Sequence, residues 1–224
     1  MSIVRVIGFT ISLDGFATGE GQTLENPFGH AGARLHQWMF PPETGGETRA
    51  QFGVDGALSK VSYDDGSVGA EIMGRRKFWP EPGPWTDDTW RGWWGENPPF
   101  HTPVFVMTHH PHESIEMQGG TTFHFVDGTP EEVLARAREA AGDLDVRIGG
   151  GPTIVRDFLR AGLIDDLHLV IAPIVLGRGE SLWAGLEGIE SDFDVQTTNS
   201  ARPGFVHQFW QRKGLSHPQE PSVS

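Results

Sequence analysis

Hydrophobic positions along the chain switch between two periods. Short runs rich in β-branched and apolar residues predict strands at Ile3–Leu13, Val68–Met73, Val104–Thr108, Thr122–Val126, Asp145–Ile148, Leu167–Leu176 and Val206–Gln211. Helical spacing puts Val133, Leu134, Ala137 and Ala141 on one face, and Ile154, Val155, Phe158 and Leu159 on another. The first of these helices carries its own boundaries: Thr129 as N-cap, Pro130 at the first helical position, Glu132 to close a capping box and Gly142 as stop. Pro152 opens the second and Gly162 ends it. A short helix over Gly74–Trp79 stops at Pro80, and looser helical spacing appears at Ala33–Phe40 and Ala50–Val61.

This order predicts an α/β fold: a mixed, mostly parallel sheet with flanking helices, right-handed crossovers and an antiparallel pair at the C-terminal end. One domain is expected over residues 1–213, with two long loops at 17–66 and 80–103. The polar, Pro-containing stretch 214–224 reads as a disordered tail. The second loop carries Trp85, Trp90, Trp93 and Trp94, an apolar payload that can pack as a satellite core, close a dimer or line a pocket, the first two being favoured.

Composition narrows the function. The 224 residues include 30 Gly and 16 Pro, well above the average of about 12% for the two together, so turns are abundant. A formal charge of −13 disfavours a broad phosphate-backbone footprint, and no nucleic-acid partner is expected. The absence of cysteine removes disulfides, thiolate nucleophiles and Cys-ligated metals. The first 25 residues lack the features of a signal peptide, and the longest apolar run falls short of a membrane span. A soluble, cytoplasmic protein is the expectation.

Two turns attract attention as binding sites. In Val146–Thr153 a strand runs into Gly149, Gly150 and Gly151 and directly into a helix begun by Pro152 and Thr153. Unpaired N–H groups and the helix dipole suit an anion there, and missing Cβ atoms let a phosphate approach the backbone. The pattern differs from the G-x-G-x-x-G fingerprint, so a standard Rossmann site is disfavoured. In Gly74-Arg75-Arg76-Lys77, three cations at a helix start oppose the dipole, an arrangement that makes sense if an anion docks between them. Arginine beside a dinucleotide site is the usual device for the 2′-phosphate of NADP. A bare strand-to-helix turn and a solvated basic face are the alternatives for each taken alone. The cluster His109-His110-Pro111-His112 invites a zinc reading, but adjacent side chains at a strand end diverge, and no metal is expected.

With these segments in order, the chain resembles the dihydrofolate reductase-like superfamily, and specifically the reductase domain of the bifunctional riboflavin-biosynthesis deaminase/reductase. The resemblance covers roughly residues 3–211. It is carried by Ser12-Leu13-Asp14-Gly15-Phe16, Ile72-Met73-Gly74-Arg75, Val104–His109, Gly149–Thr153, Phe158–Leu167 and Pro173–Gly179. It implies a three-layer fold with NADPH lying across the C-terminal ends of strands and delivering hydride to a C=N, C=C or C=O group of a small heterocyclic, carbonyl or imine substrate. Gly74, Arg75 and Arg76 would meet the adenosine phosphates, Thr108 and His109 the adenine ribose side, and Gly149, Gly150, Gly151, Pro152 and Thr153 the diphosphate. The Ser12–Phe16 segment would cover the nicotinamide, and Trp38 with Phe40 would contact substrate.

One departure separates the chain from folate reductases. If Trp38 matches the Trp of the helix after their mobile loop, the position of their carboxylate holds Leu35, and the family's proton donor is missing. Folate reduction is therefore not expected. Asp14, beside the nicotinamide, and His36 are the catalytic candidates, and a homodimer is expected. Within the class, reduction of riboflavin-precursor ribose phosphates is the second reading, and it would need a separate deaminase. The competing classes are a nucleotide-binding protein without turnover and a structural homodimer built on the Trp-rich loop.

Overall fold

A computed structural model of the protein describes residues 2–39, 66–81, 83–200 and 202–215. Phe40, the helix expected over Ala50–Val61 and most of the expected tail lie outside the described residues. Nine strands form one sheet, in chain order β1 (Val4–Ser12), β3 (Val68–Gly74), β4 (Pro103–Met107), β5 (Ile115–Glu116), β6 (Thr122–Val126), β7 (Asp145–Gly150), β8 (Asp166–Ala172), β10 (Phe193–Asn199) and β11 (Val206–Arg212). Their spatial order is β10-β11-β8-β1-β7-β3-β4-β6-β5. The centre, from β8 to β6, is entirely parallel, while β11 runs antiparallel to β8 and to β10. Two further short strands, β2 (Phe16–Thr18) and β9 (Glu180–Ser181), pair with each other.

Helices α2 (Pro130–Ala141) and α3 (Pro152–Arg160) pack against the central strands, and the four-residue α1 (Arg75–Phe78) follows β3. The capping box at Thr129 and Glu132 is present in full. Strand alternation then sorts the interior. Ile72, Phe105, Ile148, Leu167 and Leu169 join Val133, Ala137, Val155 and Phe158 in the core beneath the helices. On the other face there are two separate patches. Met73, Val104, Val106 and Phe123 lie with Phe78, Trp79 and Phe100, against which Trp85, Trp90 and Trp94 pack. Val170 and Ala172 lie with Ala31, Leu35 and Trp38. The Trp-rich loop thus forms a satellite core on one patch, as its composition allows.

The short strands β2, β5 and β9 lie outside the strands that the sequence predicts, and three longer elements also differ from expectation. The long strand expected over Leu167–Leu176 ends at Ala172 because Pro173 has no N–H for the ladder. The segment from Gly29 to Met39 is a 3-10 run rather than a helix over Ala33–Phe40, interrupted at Gly32 with φ of 53°. Strand β10 escaped the hydrophobic pattern because all its residues except Phe193 are exposed; it is held by its full-length pairing with β11, not by burial.

Candidate active site

Strands β1, β7, β3 and β4 are neighbours and parallel, so their C-terminal ends stand side by side along one edge, with β7 running directly into α3 and β3 directly into α1. At about 4.8 Å per strand the row spans about 14 Å, enough for an extended dinucleotide, and the carboxyl ends of parallel strands are where open α/β sheets bind ligands. The glycine turn and the basic turn are adjacent. Met73 pairs with Gly150, and a Cβ placed on Gly74 would lie 3.7 Å from the Gly151 nitrogen.

The glycine turn is shaped to leave its backbone open. Gly150 has φ of +99°, which L side chains rarely adopt, and the Gly150–Gly151 peptide is cis. A Cβ on Gly151 would meet nothing within 4 Å, and Gly151 caps α3 with no side-chain hydrogen bond. Gly151 is thus open on the side a side chain would take, next to an exposed Thr153, and the first N–H groups of α3 have no partner within the helix.

On the basic turn, the Arg75 guanidinium lies 4.5 Å from the centre of the Trp85 ring and donates from Nη1 to the Glu81 carbonyl. Its Nε and Nη2 are buried and have no hydrogen-bond partner. Burial and the neighbouring Arg76 hold its pKa below the ordinary value, with Glu81 opposing them. Arg76 reaches to Glu180 of β9 at 3.1 Å, an exposed ion pair. The two arginines thus diverge, one toward the Trp-rich loop and one toward β9, which Arg156 of α3 also holds by donating to the Ser181 carbonyl.

Beneath the turns lies a cluster that the sequence motifs did not reveal. Glu71 on β3 and Arg147 on β7 are direct cross-strand partners and both are buried. Arg147 donates from Nε to Glu71 Oε2 at 2.7 Å and also from Nη2. Lys77 donates to Glu71 Oε1 at 3.0 Å and to the Gly149 carbonyl at 2.9 Å. Burial alone would raise the Glu71 carboxyl, but the two cations outweigh it and keep the group below its ordinary pKa. A single charged residue in the middle of each of two buried parallel strands, VGAEIMG and DVRIGG, was the available signal.

Thr108 is buried just past β4, where its hydroxyl accepts from the His110 N–H, while His109 is exposed and pairs with Asp127 at 2.8 Å. Asp14 accepts from the Ser12 hydroxyl at 2.6 Å and from the backbone N–H of Leu176 and Gly177, clamping the end of β1 to the segment after Pro173. Desolvation works against its charge, but these hydrogen bonds hold its pKa at about 2. His36 lies 4.5 Å from the Phe28 ring, and burial lowers its pKa to about 4. Trp38 is only 7% exposed, donates to the Thr10 hydroxyl at 2.9 Å and meets the His207 ring edge-on. Asp14 thus lies at the β1 end and Trp38 against Thr10 of the same strand, while none of the contacts of Asp14, His36 or Trp38 named here reaches the glycine or the basic turn. Among the described residues no group of three or more metal-ligating side chains could hold an ion, and no helix is long and apolar enough to cross a membrane.

Comparison with protein families matches residues 6–204 to the RibD C-terminal domain. The chain belongs to the RibD C-terminal domain family. The family is reductase-like. Among solved structures, a protein of Shewanella sp. PV-4 assigned to riboflavin biosynthesis is similar at 21% identity, with 95% of this chain and 99% of that one covered and a TM-score of 0.56. A diaminohydroxyphosphoribosylaminopyrimidine deaminase/5-amino-6-(5-phosphoribosylamino)uracil reductase from Thermotoga maritima is similar at 14% identity and a TM-score of 0.50. There the chain covers 56% of that protein's length, and 94% of this chain is covered. A dihydrofolate reductase from Enterococcus faecalis complexed with NADP(H) is similar at 13% identity and a TM-score of 0.48, over 95% of this chain and 96% of that one. Comparison with curated proteins returns no match. The RibD family domain here is a mixed, mostly parallel sheet closed by an antiparallel C-terminal pair, a fold shared with the Shewanella and Thermotoga structures.

Proposed function

We propose that the protein is an NADPH-dependent reductase of a small heterocyclic, carbonyl or imine substrate. The observation that carries this is the convergence of the glycine turn and the basic turn on neighbouring strand ends, with unpartnered N–H donors on one and unpartnered guanidinium nitrogens on the other. The residues fit the cofactor. The backbone from Gly149 to Thr153 would receive the diphosphate, and Arg75, whose buried Nε and Nη2 lack partners, the 2′-phosphate once its side chain shifts to expose them. The Ser12–Phe16 turn, clamped by Asp14, would close over the nicotinamide end.

When bound, NADPH supplies a hydride to the substrate carbon, and a proton delivered to the adjoining nitrogen or oxygen completes the reduction. The chain's own part is positioning. Asp14, ionised above a pKa of about 2 and already accepting three hydrogen bonds, has no proton to give at neutral pH. His36, neutral above about 4, is not an imidazolium either. If Trp38 matches the Trp of folate reductases, buried Leu35 stands at the position of their carboxylate, and solvent is the proton source in this reading.

The test is thermal unfolding with and without cofactor, since a ligand that binds only the folded state raises the midpoint by mass action. NADPH at millimolar concentration should raise the midpoint by several degrees; no shift overturns the reading. Binding without NADPH oxidation over a panel of ketones, imines, pterins and quinones would favour a binding protein without turnover.

A further inference from the structure

Resting on the NADPH reading, we propose that Lys77 is a positioning residue for the diphosphate. Anchored by Glu71, it holds the bulged carbonyl of Gly149 so that the turn after β7 presents its backbone to the anion.

Ile72 pairs with Ile148, but Met73 pairs with Gly150, so Gly149 is one residue too many on β7. Such a bulge bends its strand and re-aims the residues after it. An extra residue also leaves a backbone carbonyl outside the ladder, and a carbonyl without a partner is costly when shielded from water. Lys77 Nζ takes that carbonyl at 2.9 Å, and Glu71 Oε1 holds the same ammonium at 3.0 Å from beneath.

Gly149 has no room for any other residue. A Cβ there would collide with Glu71 Oε1 and lie 2.7 Å from Lys77 Nζ. The carboxylate therefore fills the space a side chain would take. Because the Gly149–Gly150 peptide is planar, fixing its carbonyl on Lys77 fixes the opposite direction for the Gly150 N–H and sets where the chain enters α3. Lys77 also belongs to α1, the helix that begins at the basic turn, so one side chain ties both halves of the site together. Its side chain is 23% exposed, whereas Glu71 is fully buried, which places the ammonium at the edge of the interior.

The test compares Lys77→Met and Lys77→Arg with the unaltered protein, using two probes: NADPH, and adenosine 2′-monophosphate, which lacks the diphosphate. In Lys77→Met, Glu71 keeps Arg147, so the fold has its main buried ion pair. The expected result is about a tenfold loss of NADPH affinity in Lys77→Met, a loss of less than about twofold for adenosine 2′-monophosphate, and recovery of most NADPH affinity in Lys77→Arg, which restores a donor for both acceptors. Equal losses for both probes, or no loss for NADPH, overturn the positioning role while leaving the cofactor reading intact. If the unaltered protein itself binds no NADPH, the cofactor reading falls and this inference with it. Should Lys77→Met not fold, failure of Lys77→Arg to bind NADPH normally when folded would also count against the proposal.

Discussion

Gly74 and Ile154 touch across the two strand ends: a Cβ on Gly74 would lie 2.7 Å from Ile154 Cγ1. The first turn of α3 is thus packed directly on the start of α1, and the two halves of the proposed cofactor site share one wall. Gly74→Ala pushes them apart. Overpacking of this kind costs about 1–3 kcal/mol, and the same displacement should weaken NADPH by at least about tenfold. Urea unfolding and NADPH titration of the one variant check both; loss of stability without loss of binding would mean that the shared wall is structural only.

Glu180 competes for Arg76. Its carboxylate lies 3.1 Å from Nη1 in an exposed pair that a phosphate at the α3 start would have to displace or share. Exposed ion pairs contribute about 0.2–1 kcal/mol, so Glu180→Gln should tighten NADPH by up to about fivefold at low salt, with the gain shrinking as salt rises. Calorimetric titration at two salt concentrations measures this. Weaker binding in the variant would show that Glu180 supports the site.

Glu71 should be far less tolerant than Lys77. Its carboxylate is the shared partner of two cations, and Arg147 is buried with it. Removing one partner of a buried pair typically costs about 3–5 kcal/mol, so Glu71→Gln should lower the unfolding free energy by that order. Denaturant unfolding measures it, and a loss below about 1 kcal/mol would contradict the buried network.

Acid should destabilise the protein through its interior histidines. His168 Nδ1 accepts from the Gly8 N–H, so the ring carries its proton on Nε2 and donates it to His207 Nδ1 at 3.0 Å. Burial, reinforced by His207, lowers the His168 pKa from 6.5 to about 3. Below 6.5 the unfolded chain takes up a proton that the folded chain refuses. Stability from this group is therefore complete above about pH 7 and falls as pH drops toward about 3, by up to about 1.4 kcal/mol per pH unit. His36, lowered to about 4, adds to the slope in the same direction. Urea unfolding at several pH values between about 7.5 and 4.5 should show the decline, and His168→Gln should flatten it. A pH-independent midpoint over that range would contradict a buried, neutral His168.

Much of the fold was legible in the chain, for physical reasons that can be named. The capped helix from Pro130 to Ala141 was readable because propensity, capping and burial agree there. The strand-to-helix turns at Gly149–Thr153 and Gly74–Lys77 were readable as turns because each joins an apolar run to glycine and a helix start within a few residues. What escaped depends on partners distant in sequence. Strand β10 has mostly polar residues and, Phe193 apart, is specified by its pairing with β11. Glu71, 76 residues away from Arg147, acquires its role only when β3 and β7 align. Trp85 gave no hint that it would lie under Arg75, since that contact requires the loop after α1 to fold back. Asp14 was readable as a turn residue at the β1 end, but not as the acceptor for backbone donors at Leu176 and Gly177.

The measurement that bears most directly on the cofactor site is the dissociation constant of NADPH and of NADH, each for the unaltered protein and for Arg75→Ala. A charge-assisted hydrogen bond is worth about 1.5–3 kcal/mol, so Arg75→Ala should weaken NADPH by more than about tenfold and NADH by less than about twofold. Equal weakening of the two cofactors, or no preference for NADPH in the unaltered protein, would contradict it.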